Sequence, residues 1–210
     1  AVVNTCGFLS SANEEAIENI LAMAELKKAG KLKKILVTGC MTQRYQGEVA
    51  KELPEVDAAL GTGSYDEIVK AVDAVCRGET GGEWFRRAEL CPLDGKRSLM
   101  TPSYYGYLRI AEGCDNRCAY CVIPYIRGRY RSRDMDSLVK EAENLAAGGV
   151  KELLIIAQDI TRYGMDIYGE RVLYKLLERL CEIDGIEWIR LHYLYPDEID
   201  DRLLETIKNN

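Results

Sequence analysis

The sequence contains no apolar run approaching the roughly 18–20 residues that a bilayer-spanning helix needs, which excludes a chain that crosses a membrane as helices. It also lacks an excess of positive charge: 28 Lys and Arg stand against 34 Asp and Glu, a formal net charge of −6. General electrostatic attraction to nucleic acid is therefore missing, and only a local basic patch could supply it. Histidine occurs once, so imidazole is scarce as a metal ligand. Disorder is excluded as well, because 47% apolar and 30% charged residues are the proportions of a packed protein. A length of 210 residues allows one or two domains.

What the chain does have is cysteine, at eight positions. Secreted disulfide scaffolds are usually short and loop-rich. This chain reads instead as long alternating strands and helices with cysteines at loop positions, so metal-binding thiolates in a reducing, cytoplasmic setting are expected. It opens at Ala1 without an initiator Met and runs straight into an apolar strand, which suggests truncation at the start.

Three strand–helix repeats fill residues 1–78: strands at 1–6, 34–38 and 57–60, and helices capped by Ser10 or Ser11 with Ile17, Ile20, Leu21, Ala24 and Leu26 on the apolar side, after Cys40 through about Leu53, and over 65–77. Such an order implies an α/β fold with parallel strands and right-handed crossovers. Residues 79–103, carrying Gly81, Gly82, Pro92, Gly95 and Pro102, show no sustained periodicity and read as a linker. From residue 104 a second alternation runs through strands at 105–111, 152–157 and 188–194 and helices at 134–147, 170–182 and from about Asp197, and ends after three units. That is too few to close an eight-unit barrel, so the chain is expected to stop early at this end too.

The strongest motif is Cys114-Asp-Asn-Arg-Cys118-Ala-Tyr-Cys121, placed directly after a strand. Three thiolates within eight residues can wrap one face of a small cluster and leave one metal position open. Structural zinc wants four closed ligands, and ferredoxin centres normally use four cysteines. The spacing therefore suggests a [4Fe–4S] cluster with one open iron. A zinc loop completed by Cys76, Cys91 or Cys181, or three unrelated thiols, remain as alternatives. Cys6 and Cys40 each follow a strand of the first half, at the sheet edge where open α/β folds bind ligands; taken alone they read equally as ordinary loop thiols.

The C-x3-C-x-aromatic-C run, with Tyr120 as the aromatic, resembles the radical S-adenosylmethionine superfamily. That resemblance implies a barrel in which the open iron binds S-adenosylmethionine. Together with Cys6 and Cys40 ahead of it, the motif is similar to the methylthiotransferase family, whose N-terminal domain holds a second [4Fe–4S] cluster on three cysteines. Cys6 and Cys40 match the second and third of these; the first lies upstream of Ala1 in the family. The stretches 112–118, 124–133, 158–164 and 193–196 are similar to the branch that methylthiolates the β-carbon of an aspartate in small-subunit ribosomal protein twelve. The resemblance implies S-adenosylmethionine near Tyr120, Gln158 and Asp159, a low-potential electron donor, and a ribosomal-protein substrate without membrane association. Methylthio transfer to tRNA and a non-enzymatic iron–sulfur electron carrier are the alternatives, and nucleic acid enters only under the first.

Four arginines, at 127, 129, 131 and 133, alternate, so an extended segment would align them on one side, either to grip an acidic partner or to pair within the chain. Cys76 and Cys181 read as buried apolar fillers, and His192 as a packed strand residue.

Overall fold

The computed structural model describes residues 1–79, 82–90, 94 and 98–210. Its chain divides into two units, Ala1–Pro92 with Asn116–Gly128, and Leu93–Asp115 with Arg129–Asn210.

In the first unit the order is β1 (Val2–Thr5), α1 (Ser10–Lys28), β2 (Leu36–Gly39), α2 (Cys40–Tyr45), α3 (Gly47–Glu52), β3 (Ala58–Leu60), a 3-10 turn over Thr62–Glu67, α4 (Ile68–Cys76) and β4 (Gly82–Trp84). The four strands lie side by side in chain order, all parallel. Helices cover both faces, which is why β2 is buried at every residue, Thr38 included. On one face Ala16, Ile20 and Ala24 of α1 meet Ile35, Val37 and Met41. On the other, Ala71 and Val75 of α4 meet Leu36, Ala58 and Leu60.

Several details depart from the sequence reading. The narrow Ala16–Ile20–Ala24 stripe is what α1 buries, while Ile17, Leu21 and Leu26 stay exposed. Its N-cap is Leu9, with no side-chain cap from Ser10 or Ser11. The helix expected after Cys40 is two, because Gln46 takes a φ of 40° between them. Within the supposed linker, residues 82–84 form β4 and extend the sheet; three residues show no alternation that could reveal them. Cys91 lies outside the described residues.

The second unit contains β5 (Tyr105–Arg109), β6 (Ala111–Glu112), β7 (Arg131–Ser132), α6 (Met135–Ala147), β8 (Glu152–Ile156), α7 (Leu173–Cys181), β9 (Trp188–Leu191) and α8 (Asp201–Asn209). Between β6 and β7 the chain makes α5 (Ile123–Arg127), which belongs to the first unit. Strands β5, β8 and β9 form a parallel sheet in that order, and β6 pairs antiparallel with β7. Its core joins Leu108 and Ile110 to Leu153 and Ile155, under Leu138, Ala142 and Leu145 of α6 and Leu173, Leu176, Leu177 and Leu180 of α7. Cys76 and Cys181 are exposed rather than buried; each is the last residue of its helix, beyond the apolar stripe.

Candidate functional site

In the first unit the pairing of Thr5 with Gly39 sets Cys6 and Cys40 at the C-terminal edge of neighbouring parallel strands. Two glycines permit this approach. Gly39 has a φ of 113°, and a Cβ there would lie 2.3 Å from the Thr5 carbonyl oxygen. A Cβ on Gly7 would stand 2.6 Å from the Cys40 carbonyl group. Arg44 Nη1 donates to the Gly7 carbonyl at 2.8 Å and Thr42 Oγ1 to the Leu60 carbonyl at 2.5 Å, bracing the loops around Cys40, itself buried.

Helix α5 packs into this same unit. Thr62 Oγ1 donates to the Ile126 carbonyl at 2.8 Å, and Arg127 Nη2 lies 3.1 Å from Cys40 Sγ. Gly128 ends the helix with a φ of 76°, where a Cβ would collide with the Glu89 side chain.

Cys114 follows β6 through Gly113, whose φ is 82°, and is buried. Cys118 and Cys121 are half-buried, and the Cys121 N–H donates to the Cys118 carbonyl at 3.0 Å. All cysteines among the described residues are reduced thiols, and no three Cys, His, Asp or Glu side chains there converge as a ready-made metal site. The donor set nevertheless fits an iron–sulfur cluster: three soft thiols within eight residues, with no imidazole in the run.

On the second sheet, Tyr107 and Arg109 of β5, Leu154 and Ile156 of β8 with Gln158 beyond it, and Arg190 of β9 with His192 just past it share the face turned away from α6 and α7. Two buried polar atoms at the C-terminal end of this face, Gln158 Oε1 and His192 Nε2, have no hydrogen-bond partner among the described residues. Orphaned atoms of this kind suit a polar ligand such as S-adenosylmethionine. Asp159 is placed differently. It is buried, and its carboxylate accepts from the Thr161 N–H at 3.0 Å and from the Thr161 hydroxyl. Its carbonyl accepts from Tyr130 Oη at 2.9 Å; burial, with Asp159 and Asp166 adding negative charge, pushes that phenol well above its ordinary range and keeps it a donor. Tyr120 is 86% exposed.

The four alternating arginines do not share one side, because Arg127 closes a helix and only Arg131 and Ser132 are strand. Arg133 is buried and ion-paired to Asp94 and Glu141, and Arg129 stands 3.7 Å from Asp115. Arg44, Thr62 and the Arg127–Cys40 contact escaped the sequence reading, since their partners lie 37, 64 and 87 positions away with no local pattern.

Two family profiles match the chain: "Uncharacterized protein family UPF0004" over residues 1–61 and "Radical SAM superfamily" over residues 108–210. Together they define a UPF0004 segment followed by a radical S-adenosylmethionine segment. A protein named ribosomal protein uS12 methylthiotransferase RimO from Lachnoclostridium phytofermentans is 52% identical over 208 residues, covering 99% of this chain and 47% of the relative. A protein of the same name from Clostridium botulinum is 48% identical over 209 residues, covering 100% and 47%. Over its whole length this chain is similar to the RimO-type methylthiotransferases, and it spans about half the length of the curated relatives it matches. Among solved structures, the radical S-adenosylmethionine methyltransferase TsrM from Kitasatospora setae aligns with a TM-score of 0.63 at 17% identity, over 92% of this chain and 42% of that one, a likeness of fold.

Proposed function

We propose that the protein is a radical S-adenosylmethionine methylthiotransferase that adds a methylthio group to the β-carbon of an aspartate in ribosomal protein uS12. The observation that carries this reading is the Cys114–Cys118–Cys121 run, set directly after a sheet strand in a chain about half identical throughout to proteins of that name. Cys114, Cys118 and Cys121 would hold one [4Fe–4S] cluster, and Cys6 with Cys40 would supply two ligands of a second. When bound, the first cluster and S-adenosylmethionine supply a carbon radical able to take hydrogen from an unactivated carbon. The chain's own part is to bind and to shield. Gln158 and His192 present unpaired polar atoms to the cofactor, Asp159 holds the turn after β8 through Thr161, and Tyr120 stands beside the thiol run. The net charge of −6 favours the protein substrate over tRNA. A low-potential donor supplies electrons, and the working place is the cytoplasm.

The test is anaerobic reconstitution of the full-length protein, followed by reaction with dithionite, S-adenosylmethionine and recombinant uS12. 5′-Deoxyadenosine together with a methylthio mass gain on one uS12 aspartate is the expected result. 5′-Deoxyadenosine formed with uS12 unmodified, and methylthioadenosine found in co-incubated tRNA, would move the reading to the tRNA branch.

A further inference from the structure

Arg127 and Cys40 lie 87 positions apart in sequence, yet the guanidinium Nη2 is 3.1 Å from Cys40 Sγ. The contact is built. Cys40 is 8% exposed, so the pair sits where a positive charge is poorly screened by water. The backbone on both sides is pinned: Gly39 and Gly7 hold Cys40 against β1, and Thr62 and Gly128 set the last turn of α5. The same helix begins two residues after Cys121, so within the first unit one short element follows Cys118 and Cys121 and ends at the Cys40 thiol.

We infer that Arg127 is a positioning residue that donates a charge-assisted hydrogen bond to the Cys40 sulfur when that sulfur ligates the N-terminal cluster, and so raises the cluster's reduction potential. The inference rests on the reading of Cys40 as a cluster ligand. A hydrogen bond withdraws electron density from a ligating sulfur and favours the reduced cluster; a cation does so more than a neutral donor. Such bonds are among the levers by which a protein sets iron–sulfur potentials.

The experiment uses the full-length protein, reconstituted anaerobically, with Cys114, Cys118 and Cys121 replaced by Ala so that the N-terminal cluster alone is observed. Its midpoint potential is measured by EPR-monitored reduction in three forms: the parent, Arg127→Gln and Arg127→Lys. Arg127→Gln is expected to lower the cluster's affinity for its electron about tenfold, which is about 59 mV for a one-electron couple. Arg127→Lys, which keeps the charge, should lie nearer the parent. If Arg127→Gln fails to hold iron while Arg127→Lys loads, near the parent potential, the requirement for a cation at Cys40 is likewise upheld. An unchanged potential in an iron-loaded Arg127→Gln protein overturns the inference. So does loss of iron from both variants with an altered far-UV circular dichroism spectrum, which would reduce Arg127 to a support for α5. Cys40→Ser separates the two ideas: if it leaves iron content and EPR signal untouched, the ligand assignment has failed, and the Arg127 inference falls with it for that separate reason.

Discussion

Asp57 is buried immediately before β3, and its carboxylate takes three bonds: from Lys27 Nζ at 2.6 Å, Lys34 Nζ at 3.0 Å and the Ile35 N–H at 2.9 Å. Burial opposes its ionisation, but the bonds from Lys27, Ile35 and Lys34 outweigh that and hold the carboxyl below the usual carboxylate range. A folded-state value below the unfolded one stabilises the protein above about pH 4, and the stabilisation drains away as pH falls through the folded value. Asp57→Asn should therefore lower the unfolding free energy by about 2 kcal/mol at pH 7. The gap from wild type should close in acid, and urea unfolding of both proteins at pH 7 and near pH 3 measures it. A pH-independent gap would mean that shape rather than charge matters at this site. Residue-scale features of this kind were legible in the sequence only where the chemistry is local. The thiols at 114, 118 and 121 announce themselves by spacing, whereas Asp57 meets Lys27 across 30 positions and Arg127 meets Cys40 across 87.

At the scale of elements, legibility followed length. Helices α6 and α7 were readable because each carries a full apolar stripe, and the 5-residue strand β8 because it is bounded by turn residues on both sides. Strand β4 has 3 residues and nothing for a period to act on. The break between α2 and α3 has Gly47 beside it, but the positive φ falls on Gln46, a residue type that does not announce one. Helix α7 shows the opposite case, with four leucines at 173, 176, 177 and 180 all buried against the sheet. Leu176 is fully buried, so Leu176→Ala should cost about 2–5 kcal/mol of stability in the second unit. Near-UV circular dichroism followed through denaturant unfolding will register it. A loss well under about 1 kcal/mol would mean that neighbouring side chains collapse into the space.

For the whole molecule, the two units carry separate cores; Cys6, Cys40 and Cys114 follow strand ends, Cys118 and Cys121 lie in the loop before α5, and none of the five belongs to a core cluster. Cys118→Ala should therefore remove about four irons from the reconstituted protein and leave its far-UV spectrum unchanged. Cys76→Ala, at the exposed end of α4, should leave the iron content as it was. An undiminished iron count in the Cys118 variant would remove that residue from the cluster. One excursion was not visible beforehand: Asn116–Gly128 folds with the first unit, although the strands on either side of it belong to the second. This threading makes the halves poor currency for modular exchange. A second unit spliced at the linker into another host would carry Ile126, now 1% exposed, and the rest of α5 away from Thr62, and would arrive with a greasy, unpartnered flap bearing two of the three thiols proposed to hold its cluster. The pair is expected to be inherited, duplicated and lost together, as one heritable block.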